Sequence, residues 1–427
     1  PERPQGARRA PDDRRPDAQR SRAGCTLWER RDLGADGGAA LRNGQTLAAL
    51  AELGTVDVLS IGSPEETVHP VSGVSEWRHF ARTTQHRGIP GIWRLNPRRH
   101  PMLDRHAHPD ALAHIAGLPR NRYDVAVVEE IALAGYIAPL RSRGIPTVFD
   151  AHNVEARLRS DINLGTETNN RLTALLRRIF HDRRLGAIEA RAVRDADIVW
   201  ACSEQDATLL GQIYQPRRPV AVVPNGVDIS VYAKARDAQI AADPAVRPFL
   251  LYIGTYGYPP NEAAALRLMT GVLPALRKRG IELLLALVGR DPTEAMKHAA
   301  AADPAVTVTG AVESVLPWLS QPSIMVLPIT IGSGTRLKVV EAFAAGCPVV
   351  STVKGAEGIE THPGENILLA ETDDEIAAAV MRLVADPDQR RRLGAAGFET
   401  ALRLYSRQAA AKRICTSLQT LPRPRAS

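Results

Sequence analysis

Ile331-Gly-Ser-Gly-Thr-Arg-Leu-Lys-Val-Val-Glu341-Ala-Phe-Ala-Ala-Gly346 stands between two apolar runs, Ser323–Pro328 and Cys347–Val350. The order reads as strand, glycine loop, helix, strand. Glycines let backbone approach an anion closely, and the unpaired N–H groups opening the following helix point at it with a favourable dipole. Arg336 and Lys338 add full positive charge beside that helix start. Glu341 lies six residues beyond Thr335, so the helical rise carries its carboxylate roughly 9 Å further along the axis. A nucleoside diphosphate gripped at Gly332, Ser333, Gly334 and Thr335 would bring its ribose hydroxyls to Glu341.

Two other phosphate motifs are excluded. A Walker loop needs Gly-Lys followed by Ser or Thr, whereas this loop has Gly334-Thr335. A dinucleotide fingerprint needs a third glycine and opens the first strand of its domain. Here Leu337 holds the third glycine's place, and the loop lies late in the chain.

These residues resemble the GT-B glycosyltransferases, family 4-like, that use nucleotide sugars with retention of configuration. Those enzymes commonly carry two glutamates eight positions apart, the second leading into Ala-x-Ala-x-Gly-x-Pro-Val-Val. Glu341-Ala-Phe-Ala-Ala-Gly346-Cys-Pro348-Val-Val350 matches the second glutamate and the run after it. Ser333 stands where the first would be. A branch of the family has Gly-x-Gly-Thr-Arg-Leu-Lys there, as this chain does. The resemblance implies two Rossmann-like, doubly wound parallel-sheet domains facing a central cleft. It also implies sugar transfer from a nucleotide-diphosphate donor to an acceptor hydroxyl, without a metal or other cofactor.

The rest of the chain is consistent with that expectation. At 427 residues it exceeds a typical single core, and two domains are expected. Residues 1–24 are rich in Arg, Pro and Asp and read as a disordered basic tail. A first series of alternating strands and helices runs over 25–230, and Ala- and Asp-rich residues 231–247 read as a linker. A second series occupies 248–402, and 403–427 supplies a last helix that the resemblance places back on the first domain. Between Ser63 and Pro119 the pattern is too irregular to assign.

Several strand ends collect candidate residues, as open α/β sheets bind ligands at the carboxyl ends of their strands. Gly37 and Gly38 come after the first strand and are candidate acceptor-loop positions. Asp150-Ala-His152-Asn153 ends another strand, and the resemblance puts His152 beside the donor sugar. Gly254 and Thr255 end the first strand of the second series, where a backbone N–H can face a diphosphate. Arg290 comes after the next strand, and Val312 falls where relatives hold the base through backbone groups. Many relatives have an Arg and a Lys in the helix after Gly254-Thr255; Tyr258-Pro-Pro-Asn261 stands here instead. The charge for the leaving phosphate therefore falls to Arg336 and Lys338, with His152 and Glu341 completing the catalytic set.

Composition narrows the partners. A net charge of +7 favours anionic ones, while an aromatic content of 4% argues against a stacking platform for single-stranded nucleic acid. Cys25, Cys202, Cys347 and Cys415 show no metal or disulfide spacing, which fits a reducing cytoplasm. The basic stretch from Arg171 to Arg184 suits a solvated helix face or peripheral contact with the inner face of a membrane. The acceptor is open: glycan, lipid-linked sugar, small molecule or protein. An epimerase or phosphorylase on the same scaffold, or a non-catalytic binding scaffold, also remains open.

Overall fold

The computed structural model describes residues 24–29, 38–62, 73–81, 100–155, 183–331 and 336–421. Its strands form two all-parallel sheets. The first is built from β1 (Gly24–Glu29), β2 (Val56–Gly62), β3 (Val74–Ala81), β4 (Val125–Glu129), β5 (Thr147–Ala151), β6 (Ile198–Ala201) and β7 (Ala221–Val222), in the order β3-β2-β1-β4-β5-β6-β7. The second holds β8 (Phe249–Ile253), β9 (Leu285–Val288), β10 (Val306–Val308), β11 (Ser323–Leu327), β12 (Val349–Ser351) and β13 (Leu368–Leu369), in the order β10-β9-β8-β11-β12-β13. Each therefore reverses direction once, between β1 and β4 and between β8 and β11. The crevice at such a reversal is where doubly wound sheets bind ligands.

The apolar runs of the sequence reflect burial on both faces. In β4, Val125 and Val127 join one core with Val56, Val58, Val148, Ile198 and Trp200. Ala126 and Val128 point the other way, into a core with Leu59, Ile61, Phe149 and Val199. Alternate residues serve opposite faces, so a strand covered on both sides loses its polar positions. The weakly patterned β1 is held by its neighbours, pairing in parallel with both β2 and β4.

Packing decides several elements that local pattern does not show. The unassigned region holds β3 and the helices Pro101–His106 and Pro109–Gly117; β3 is an edge strand with mostly exposed or half-buried side chains, so it lacks an apolar signature. Residues 231–247, expected as linker, largely form the helix Ile229–Ala241, capped by the Asp228 carboxylate accepting from the Ser230 N–H. Its buried face is just Tyr232 and Ala235, which is why no apolar stripe marks it. After β4 the chain forms a 3-10 turn, Ile131–Tyr136, that runs into the helix Ile137–Ser142, and a short helix, Leu316–Leu319, precedes β11. Residues 1–23, and most of the basic stretch at 171–184, lie outside the described residues.

The chain crosses between the sheets twice, at one place. Val227 pairs with Ser406; its N–H donates to the Tyr405 carbonyl, and the Arg407 N–H donates to the Val227 carbonyl. Beyond this crossing the helix Arg407–Leu418 packs Ile414 and Leu418 against Leu47 and Leu50 of the helix Gly38–Leu53. The Trp200 indole N–H donates to the Ser417 hydroxyl at 2.8 Å, fixing that helix to the first sheet. Across the cleft, the Gln205 amide, just past β6, donates to Glu357, just past β12. The carboxyl ends of the two sheets thus face each other. Among the described residues no helix is long and apolar enough to cross a membrane.

Candidate functional site

Three loops meet at the carboxyl edge of the second sheet. Gly254 continues β8 by donating its N–H to the Val288 carbonyl, and the Tyr256 N–H donates to the Arg290 carbonyl. The Arg290 Nε lies 3.4 Å from the Thr255 hydroxyl, so Gly254, Thr255 and Arg290 are brought together. Gly289 makes this approach possible: at φ +143° it sits where an added Cβ would lie 1.8 Å from the Gly254 carbonyl oxygen. Val312 instead packs part-buried against the apolar core, leaving backbone as what it could offer a ligand.

The helix Leu337–Ala344 starts at the β8/β11 reversal, with Arg336 as its N-cap residue. Gly332, Ser333, Gly334 and Thr335 lie outside the described residues. The Arg336 guanidinium is buried; its Nε donates to the Lys354 carbonyl at 3.3 Å and its Nη2 lies 3.9 Å from the Glu357 carboxylate. Lys354 pairs with the same carboxylate at 2.8 Å. One carboxylate thus serves two cations, while its other oxygen takes the hydrogen bond from Gln205 of the opposite domain. Further along the helix, the Glu341 carboxylate accepts from the Tyr232 hydroxyl at 3.1 Å.

Lys338 differs most from its expected role as an open cation. Its Nζ reaches under Gly254, donating to Asn261 Oδ1 at 2.6 Å and lying 4.8 Å from the centre of the Tyr252 ring. A Cβ on Gly254 would come within 3.0 Å of that nitrogen. Burial, and then the charge of Arg336, push the ammonium down to about 7, against the opposing pull of Glu341. In the unfolded chain it titrates near its ordinary value of 10.5. Between the two values the unfolded state binds more protons, so stability contributed here rises with pH. Wild-type stability relative to Lys338→Met should therefore climb as pH is raised from about 7 to about 10. Urea denaturation of both proteins across that range measures it; a flat difference would contradict the burial of this ammonium.

His152 lies on the opposite domain, at the end of β5, within a buried ionic group. Its Nε2 is 3.1 Å from Glu129 and its Nδ1 3.3 Å from Glu130, with Asp150 at 3.8 Å. Glu129 and Glu130 end β4, and Glu130 adopts φ +65°, unusual for a residue with a side chain. Burial works against the imidazolium, but hydrogen bonds to Glu129 and Glu130 and the charges of Glu130 and Asp150 outweigh it and raise its titration. Burial, then the charge of Asp150, likewise raise the Glu129 carboxyl. Asp150 would be raised by burial too, yet Arg42, with help from His152, holds it below the ordinary carboxylate range. Arg42 comes from the helix Gly38–Leu53 and donates Nε to both Asp150 oxygens, at 2.8 and 3.0 Å. Glu129, Asp150 and His152 offer three ligand atoms within 4.8 Å of one another, but Arg42 already engages both Asp150 oxygens. The group is a charge-paired network rather than an open ligand set.

His152, Gly254, Thr255, Arg290, Arg336 and Lys338, all assigned from sequence, thus lie at sheet edges facing one cleft. Gly37 falls outside the described residues, and Gly38 begins the first helix. Arg42, Glu129, Glu130, Tyr232, Asn261 and Lys354 were not singled out by the sequence pattern. The acidic pair ending the apolar run Val125–Val128 was a usable signal. Arg42, an arginine within a helical pattern, offered none.

Two family models match the chain in succession. Residues 37–226 match the glycosyl transferase 4-like domain and residues 247–386 match glycosyl transferases group 1. No curated protein sequence matches. Among solved structures, a sucrose-phosphate synthase from Thermosynechococcus elongatus is similar at 19% identity and TM-score 0.68, over 93% of this chain and 98% of that one. HepE of Anabaena, solved in complex with UDP and glucose, is similar at 16% identity and TM-score 0.61, over 93% and 99% of the two chains. A UDP-forming α,α-trehalose-phosphate synthase from Burkholderia xenovorans is similar at 15% identity and TM-score 0.59, over 94% and 99%. These identities speak to fold, while the two family models, one on each sheet, speak to kinship. With a 4-like first domain, a group 1 second domain and two facing parallel sheets, the chain belongs to the GT-B glycosyltransferases.

Proposed function

We propose that this protein transfers a sugar, with retention, from a nucleotide-diphosphate donor to an acceptor hydroxyl in glycan, glycolipid or glycoconjugate synthesis. The observation that carries the reading is the order of groups at the β8/β11 reversal. Arg336 stands at the N-cap position of the helix, Lys338 lies under Gly254, and Glu341 stands one turn further on. A diphosphate at the helix start meets N–H groups and cations, and its ribose lies toward Glu341. As the glycosidic bond breaks, negative charge grows on the leaving phosphate. Donors already oriented in a cleft closed to water stabilise that charge without reorganising. The reading needs no divalent cation, because Arg336 and the helix terminus supply positive charge, to which Lys338 adds when it is protonated. His152, on the facing domain, positions the sugar. A similar structure was solved in complex with UDP-glucose, which favours a uridine diphosphate sugar as the first donor to try.

Incubation with a panel of nucleotide sugars and candidate acceptors, monitored by nucleotide release, tests the reading. Release with formation of a new glycoside is expected, with the anomeric configuration of the product, read by proton NMR, matching the donor's. Glu341→Gln keeps the shape but weakens the ribose contact, and should lower kcat/KM about tenfold, the worth of one charge-assisted hydrogen bond. An unchanged kcat/KM would remove Glu341 from the site. No turnover with any donor would leave the binding-scaffold alternative standing.

A further inference from the structure

One heavily bonded, buried side chain of the first domain, Arg42, is not used by the proposed reaction. Arg42 is 1% exposed, and its guanidinium holds two parts of the molecule at once. Its Nε and Nη2 face Asp150, itself fully buried. Its Nη1 donates to the Val223 carbonyl at 2.7 Å and to Asn225 Oδ1 at 2.9 Å. Val223 and Asn225 belong to the segment that leaves β7 for the crossing at Val227. Three residues along the same helix, Gln45 grips that segment again, donating to the Pro224 carbonyl at 3.1 Å and accepting from the Gly226 N–H.

We infer that Arg42 is a positioning residue for His152, and that its grip on Val223 and Asn225 couples that histidine to the hinge between the two domains. The arrangement favours this over a purely structural pair. A buried arginine paired with one carboxylate would satisfy its own charge; this one divides a rigid, planar fork between a carboxylate and the hinge. Asp150 in turn faces His152, whose other neighbours are Glu129 and Glu130 at the end of β4. Cys202, at the end of β6, lies 3.3 Å from the His152 carbonyl. A shift of Asn225 during domain closure must either break a buried charge-assisted bond or turn the guanidinium. Turning it displaces the Asp150 carboxylate and so the field in which the imidazole sits. Closing the cleft on a donor would thereby set the histidine. This catalytic consequence rests on the proposed placement of His152 beside the donor sugar; the coupling itself does not.

The test reads the histidine directly, with no substrate. In uniformly nitrogen-15-labelled protein, the His152 ring N–H signals are identified as those missing from His152→Gln. Arg42→Met should shift them and speed their exchange about tenfold, as expected when one orienting hydrogen bond is lost. Asn225→Ala, which removes the side-chain half of the hinge grip and leaves the bond to the Val223 carbonyl, Arg42 and Asp150 in place, should move the same signals in a protein of native circular dichroism. If Arg42→Met does not fold, Arg42→Lys retains the charge without the fork and should move them too. Unchanged ring signals in a folded Arg42 variant would overturn the positioning role. Signals that move in the Arg42 variant but not in Asn225→Ala would overturn the coupling to the hinge. A second arm measures UDP-glucose turnover for the same variants, where kcat should fall with KM for the donor little changed. Wild type that turns over no nucleotide sugar defeats the proposed function, while the ring signals still decide the coupling.

Discussion

Gly289→Ala is expected to destabilise the protein by more than about 4 kcal/mol, at the extreme of what a single substitution does. Two effects combine at this position. The backbone sits at φ +143°, a region closed to residues with a side chain, and the new methyl would lie 1.8 Å from the Gly254 carbonyl oxygen. That oxygen belongs to the backbone of a paired strand end, so no side chain can swing away to relieve the clash. The ends of β8 and β9 would have to separate, and with them Gly254, Thr255 and Arg290. Gly280→Ala is the control, since its φ is +74° but nothing lies within 4 Å of the added carbon. It should cost about 1 kcal/mol, for the backbone conformation alone. Urea denaturation of both variants separates the two terms. Equal midpoints would show that the two strand ends are not in close contact.

Arg336→Ala is expected to lower kcat by about 10²- to 10³-fold, the loss typical of removing one preorganised group from a developing anion. The guanidinium is buried at the start of the helix beyond the sheet reversal, where its charge is poorly screened and adds to the helix dipole. Arg336→Lys should recover part of that loss, because an ammonium restores the charge but not the planar fork. Stability should move far less, by about 1 kcal/mol for the hydrogen bond to the Lys354 carbonyl. Comparing turnover with the urea midpoint separates a lost charge from a lost fold. A rate within about threefold of wild type, with a donor the wild type accepts, would shift leaving-group stabilisation to Lys354 or the helix terminus.

The second domain was far more legible in the sequence than the first, and the reason is physical. Its β8, β9 and β11 run as continuous apolar stretches because helices cover both faces, and each ends at a residue that must turn or admit a ligand: Gly254, Gly289, Pro328. In the first domain, β1 and β3 owe their place to pairing with β2. Pairing leaves no local trace, since backbone bonds ask little of side-chain type. The helix Ile229–Ala241 leaves no apolar stripe in the sequence for a related reason: it buries one narrow face at Tyr232 and Ala235.

Residues recognised by type and position divide in the same way. A glycine loop ahead of a helix with Arg336, Lys338 and Glu341 carries its meaning locally, because a helix N-terminus and the spacing along its axis are properties of consecutive residues. The sequence alone therefore determined the two-sheet architecture and the order of charged groups along the helix Leu337–Ala344. Partnerships between distant residues were decided by tertiary structure. Arg42 meets Asp150 across 108 positions and Asn225 across 183, and Tyr232 meets Glu341 across 109. Lys338, legible as a cation, turns out to lie beneath Gly254 against Asn261 and Tyr252. Charge is written in the side chain; which groups desolvate it, and so what it does at neutral pH, depends on what the fold packs around it.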